Sequence, residues 1–193
     1  MDTSEQGTLA AFVLLVGLAL NGCAAQEQAQ SPDPLFVARA DAVAAQFQKA
    51  LQAELSAAME QGGPIAAIGV CQSAAPAIAQ KLSDDSGLHL SRIAERNRNP
   101  DGAVPSELAD LYTELKREPV KGGMPHVINA IVNERTVSLR AIPMKDEPCS
   151  VCHGTAVKAE VNQAIESIYP GDKATGFNAG ELRGAMLVMD RPF

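Results

Sequence analysis

Cys149-Ser150-Val151-Cys152-His153 is the stretch from which the rest of the chain is read. Two thiols three positions apart can each form a thioether with one vinyl group of the same porphyrin. The adjacent histidine is then held under the ring, where its imidazole can bind iron. C-x-x-C-H is accordingly the attachment signature of c-type haem. In a reducing cytoplasm the same pentapeptide is explained by zinc or dithiol chemistry. The compartment therefore decides between the two.

The N-terminus points to export. Leu9 to Leu20 (LAAFVLLVGLAL) is an unbroken apolar run, too short to span a bilayer and suited to the hydrophobic region of a signal peptide. Leu20-Asn21-Gly22-Cys23 resembles a bacterial lipobox, with cleavage before Cys23 and a lipid on its thiol. The chain departs from the usual signal pattern in one respect: Met1 to Thr8 carries Asp2 and Glu5 and no Lys or Arg. Gln26 to Asp33 is rich in Gln, Ala, Ser and Pro without apolar patterning, as expected of a flexible tether. Residues 1–22 thus read as a lipoprotein signal peptide, 23–34 as the tether and 35–193 as the folded domain. Ala24 after the lipidated cysteine favours the outer membrane under the sorting rules such lipoproteins resemble. The expectation is an exported bacterial lipoprotein that faces the periplasm and is anchored through Cys23.

The formal charge of −7 comes without any basic block, which argues against nucleic acid as a partner. Aromatics make up 4% of the chain and Trp is absent. A core this poor in aromatics suits a large prosthetic group that supplies apolar bulk; alanine-rich helices suit it equally. Of four cysteines, Cys23 is assigned to lipid and Cys149 and Cys152 to thioethers. Cys71 is left unpaired in an oxidising compartment.

Periodicity places a helix from Pro34 to Glu60, with Phe36, Val37, Ala40, Val43, Ala44, Phe47, Leu51 and Leu55 inward. Gly62-Gly63 ends it, and Pro64 opens a second helix whose inward stripe is Ile68, Cys71, Ala75, Ile78 and Leu82. Pro76 lacks the N–H that would bond the carbonyl of Gln72, which predicts a bend or break just after Cys71. Gly87 to Arg98 alternates as a strand, with His89 at the surface, and Asn99-Pro100-Asp101-Gly102 turns the chain. Ser106 is expected to cap a helix through Arg117. Val127 to Val132 and Thr136 to Ile142 form a hairpin about Asn133-Glu134-Arg135. Val157 to Tyr169 reads as a helix and Gly184 to Met189 as a last strand. The fold class is α+β: N-terminal helices and an antiparallel sheet interrupted by the C-x-x-C-H segment.

Four separated segments carry a family resemblance: Cys71-Gln72-Ser73-Ala74-Ala75-Pro76-Ala77-Ile78-Ala79, Arg96-Asn97-Arg98-Asn99-Pro100, Ala141-Ile142-Pro143 through Cys152-His153-Gly154, and Ile168-Tyr169-Pro170-Gly171-Asp172-Lys173-Ala174 through Gly184. In this order they resemble the PAS-like c-type haem domain, long known as a domain of unknown function. It is found alone in small exported proteins and as the sensor portion of some histidine kinases. The resemblance runs over roughly residues 35 to 193. It implies an antiparallel PAS-like sheet flanked by N-terminal helices and one covalent haem c whose iron lies between histidine and cysteine. Carried onto this chain, those ligands are His153 and Cys71. The chain has no kinase region, so no built-in signalling output is expected.

Alternatives stand beside each assignment. Cys71 on its helix stripe is equally a small buried hydrophobe. His126, Met124 and Met144 compete as a sixth ligand. A zinc site could draw on Cys149, Cys152, Cys71 and His126. Arg92, Arg96 and Arg98 alternate on one strand face and suit haem propionates, or form a solvated edge. No Ser-His-Asp arrangement, paired-carboxylate motif or phosphate loop is visible, so no enzymatic activity is expected. The functional expectation is electron transfer with a redox partner the sequence does not name. A haem-based redox or diatomic-gas sensor is the alternative, and a zinc-binding or structural lipoprotein the minor one. Oligomeric state is not legible.

Overall fold

The computed structural model describes residues 31–193; the stretch expected to be a signal peptide (1–22), most of the expected tether and Cys23 lie outside the described residues. Helix α1 (Pro34–Gln72) begins where Asp33 accepts a hydrogen bond from Leu35 N at 3.0 Å, with Pro34 at the first helical position. It is kinked at Gly62 and Gly63. Gly63 has φ +66° and ψ −160°, a conformation open essentially to glycine alone. Helix α2 (Ala74–Ser86) follows after Ser73. The break after Cys71 is therefore where Pro76 predicts it. Pro76 itself falls in the first turn of α2, where a missing N–H breaks no helical bond.

The main sheet has the order β1-β6-β5-β4, antiparallel throughout: β1 (His89–Ile93), β6 (Leu182–Met189), β5 (Arg135–Pro143) and β4 (Val127–Val132). Every residue of β6 is buried. Its alternation serves two cores rather than one core and water. Met186 and Val188 pack under α1 with Phe36, Ala40 and Phe47. Ala185, Leu187 and Met189 pack under α3 (Ala109–Arg117) with Leu108, Tyr112 and Leu115. The sheet is thus sandwiched between the N-terminal helices and α3.

The β4–β5 hairpin closes through Asn133 (φ 48°) and Glu134 (φ 60°), a two-residue turn whose twist matches the strands. Arg135 already belongs to β5, opposite Val132. A small hairpin, β2 (Val120–Lys121) with β3 (Met124–Pro125), was not legible from its two-residue strands. Two expectations need correction. Ser106 caps no α-helix: Ser106–Leu108 is a 3₁₀ turn leading into α3, and the Ser106 hydroxyl donates to Glu107. The strand expected over 87–98 ends at Ile93, because Ala94 N turns to donate to the Gly102 carbonyl.

Leu139 is fully buried on the α3 side of the sheet. Leu139→Ala is expected to lower unfolding free energy by about 2–5 kcal/mol, read as a shifted urea midpoint with an unchanged slope. A loss below about 1 kcal/mol would contradict the two-core packing.

Candidate cofactor site

The pentapeptide lies on α4 (Ser150–His153), a single helical turn closed by His153 N donating to the Cys149 carbonyl at 3.0 Å. Gly154 ends it. A Cβ at Gly154 would stand 2.6 Å from the Ser150 carbonyl oxygen, so the chain can leave the turn here only without a side chain. Residues 176 and 177 then back the turn, with Gly176 N donating to Gly154 O at 2.8 Å and Phe177 N to His153 O at 2.9 Å. The two thiols, half-buried and free, are seated in separate apolar clusters. Cys149 packs with Met144, Ala174 and Phe177. Cys152 packs with Ile68 of α1 and with Val161 and Ile165 of α5 (Ala159–Ile168).

His153 Nδ1 is 2.6 Å from the Ala174 carbonyl oxygen. A carbonyl only accepts, so Nδ1 carries the proton and Nε2 keeps its lone pair. The Nε of Arg183 lies 3.2 Å from the same nitrogen; two donors face each other, and Arg183 acts there as a charge beside the ring. Burial holds the imidazole well below its usual pKa. The Arg183 and Arg98 charges add to this, and the Ala174 carbonyl opposes it. The ring is therefore neutral and can serve as a ligand.

Cys71, in the last turn of α1, and His153 line one cavity of about 600 Å³, a size that suits an organic cofactor. Phe47, Ala75, Leu90 and Ile142 give it apolar walls. Tyr169 also borders it, its phenol pushed up by burial and next by Cys71. His89 is half-buried and lines the same cavity, which corrects its reading as a surface residue.

The arginines are not arranged as a strand face. Arg92 alone lies on β1, on the side of Leu90 and Met186. Arg98, 7% exposed, grips Asp172 with Nε at 3.0 Å and Nη2 at 3.3 Å, and Nη2 also donates to the Cys152 carbonyl at 2.8 Å. Arg96 points elsewhere. It stacks on Phe177 at 3.7 Å and donates to the Thr175 carbonyl, bordering a smaller pocket of about 310 Å³ with Tyr112 and Lys116. Arg183, at the start of β6, is the residue that sequence reasoning missed. It lines the main cavity, is 8% exposed and has a pKa lowered to about 9, first by burial and then by Arg92 and Arg98. Burial likewise lowers the pKa of Arg92. Among the described residues neither Arg92 nor Arg183 has an ion-pair partner. A cavity with two uncompensated guanidiniums is built for negative charge.

The competing ligands lie away from this cavity. His126 is buried with Nδ1 donating to the Glu118 carbonyl at 2.9 Å. Met124 is 65% exposed on β3, and Met144 is packed beside Cys149. Among the described residues no three His, Cys, Asp or Glu side chains are gathered to hold a metal ion, so the four-residue zinc arrangement is not assembled.

The family model of the Tll0287-like proteins (Tll0287) matches residues 22–189, and the chain belongs to that family. The resemblance carried by the four separated segments is thereby borne out. No curated protein matches the chain. Among solved structures it is similar to the crystal structure of the cyanobacterial heme-protein Tll0287, at 18% identity over 81% of this chain and 95% of that one, with a TM-score of 0.62. That likeness bears out the α+β class, with its long N-terminal helix and antiparallel sheet.

The lowered pKa of His153 has a signed consequence. In protein prepared without cofactor, the unfolded chain takes up a proton below the ordinary value of 6.5, while the folded chain resists it. Stability is then intact above 6.5 and is lost as pH falls through the folded pKa. The thermal midpoint is expected to fall more steeply below pH 6.5 in wild type than in His153→Gln. Parallel curves would contradict the neutral, buried imidazole.

Proposed function

We propose that this Tll0287-like protein is a c-type haem protein that transfers single electrons, with one haem held covalently by Cys149 and Cys152 and its iron set between His153 and Cys71. The observation that carries the reading is the placement of Cys71 and a neutral, Nδ1-protonated His153 on one cavity, with the free thiols of Cys149 and Cys152 on the turn that presents the histidine. The residues fit the group in charge as well as in size. Arg92 and Arg183 offer the two unmatched cations that a pair of propionate carboxylates needs. Arg98 and Arg96 are already committed to protein partners.

When bound, haem supplies reversible one-electron chemistry. The protein's part is to orient and to tune. Ala174 fixes the His153 ring through its Nδ1 proton. Cys71 is the residue that would hold the iron opposite His153, and sulfur ligation there would favour the oxidised state and a low potential. The apolar walls of Phe47, Ala75, Leu90 and Ile142 would exclude water from the bound group. A low potential suits an electron donor and argues against a high-potential carrier. The proposal includes anchoring through lipid on Cys23, a position facing the periplasm at the outer membrane, a protein redox partner, and neither enzymatic turnover nor nucleic-acid binding.

One observation favours sensing as a second reading. Cys71 sits two residues before the break at Ser73, a helix end whose movement would change the distance between Cys71 and His153 and so could couple the site to a signal.

The decisive experiment expresses the domain with a cytochrome c maturation system and compares visible and EPR spectra of wild type and Cys71→Ser. Covalent haem with a low-spin ferric spectrum that changes in Cys71→Ser is the expected result. Absence of covalent haem overturns the proposal; identical ferric spectra remove Cys71 as a ligand. Reduced protein inert to CO and NO supports electron transfer, whereas rapid binding with loss of the thiolate signature supports sensing.

A further inference from the structure

Arg98 and Asp172 form the best-enclosed ion pair among the described residues, with side chains 6% and 7% exposed. Burying two charges costs more than an isolated pair returns unless further hydrogen bonds use the remaining donors and acceptors. Here they do. The second nitrogen of Arg98 reaches the Cys152 carbonyl at 2.8 Å, immediately before His153. Oδ1 of Asp172 accepts from Ala174 N at 3.1 Å, and the carbonyl of that same Ala174 receives the His153 Nδ1 proton at 2.6 Å. A further bond, Lys173 N to Asn97 O at 3.1 Å, ties the two loops beside the pair. Three segments distant in sequence thus converge on one fork: the loop after β1, the C-x-x-C-H turn, and the loop after α5.

We propose that Asp172, held by Arg98, is the positioning residue that sets the orientation of His153 as an iron ligand, acting through the peptide of Ala174. The proposal rests on the haem reading of the cavity and names the device by which the protein holds one ligand in place. Asp172 fixes the Ala174 N–H on one side of the residue, and the carbonyl on the other side fixes the imidazole. Arg98 does two things at once. It keeps the Asp172 carboxylate in register and pins the carbonyl of Cys152, so the turn that presents His153 cannot rotate independently of its hydrogen-bond acceptor. A hydrogen bond of this kind to a ligating histidine typically governs 10- to 100-fold in metal affinity.

The test uses the haem-loaded full domain and asks how readily His153 is displaced. Exogenous imidazole is titrated in and followed by the Soret band, with covalent haem content and thermal midpoint measured on the same samples. Asp172→Ala is expected to be displaced at an imidazole concentration about tenfold lower than wild type. Asp172→Asn retains an oxygen for Ala174 N but turns an amide nitrogen toward Arg98 Nη2, and is expected to shift in the same direction as Asp172→Ala and by clearly less. Arg98→Lys keeps the charge but has no fork to join Asp172 to the Cys152 carbonyl. It is expected to shift in the same direction as Asp172→Ala and by less, and it carries the test if the alanine variant fails to fold. Wild-type titration curves in Asp172→Ala and Arg98→Lys overturn the proposal, as do equal shifts in Asp172→Ala and Asp172→Asn, which would mark a purely structural charge. A wild type without covalent haem defeats the functional reading itself and is visible before any variant is titrated.

Discussion

The architecture depends on one constraint: β6 has no face turned to water. A central strand with large side chains on both sides must be covered twice. Its two neighbours, β1 and β5, satisfy its backbone, while α1 and α3 take its side chains. The cavity forms where this double covering ends. At the N-terminal end of β6 the apolar pattern gives way to Arg183 and Gly184, and a Cβ at Gly184 would stand 2.8 Å from the Ile93 carbonyl oxygen. The strand is packed against β1 there, and Arg183 and Gly184 line the cavity together with Cys71 and His153.

Charge inside that space separates residues that look alike in sequence. Arg92, Arg98 and Arg183 all line the cavity, yet among the described residues only Arg98 of the three forms an ion pair. The others have no ion-pair partner among the described residues, and burial is the first cause of the lowered pKa of each. Such an arrangement is unfavourable for an empty protein and favourable for one that receives an anionic cofactor. Arg96, though it sits in the same short run as Arg98, is directed to Phe177 and Thr175 by the turn at Ala94.

Much of this was legible beforehand, for identifiable reasons. The α1 stripe from Phe36 to Leu51 follows helical period over many residues, and Gly63 and Pro76 are punctuation with one physical meaning each. The hairpin at Asn133-Glu134 was readable from its turn chemistry. Cys71 stood out by subtraction from the other cysteines. What escaped was set by tertiary contact. The strand after Gly87 stops at Ile93 because a backbone bond to Gly102 diverts it, and nothing local in Glu95 to Arg98 announces that. Arg183 is the second residue of an otherwise apolar strand, and a reading that began the strand at Gly184 lost it. Asp172 lies in a loop of Pro and Gly where its partner, Arg98, is 74 residues away in the chain.

The packing of Ile68 gives the site a property of its own. The stretch of α1 between the glycine kink and Ser73 is too short to hold itself as a helix in water. It is steadied where Ile68 meets Val161 and Ile165 of α5, in the cluster that also seats Cys152. The thiol wall and the histidine wall are therefore riveted to each other by hydrocarbon, below the place where iron would join them. The spacing of the two walls is thus set by the hydrocarbon core and not by what the cavity holds, much as a door frame keeps its shape whether or not the latch is closed.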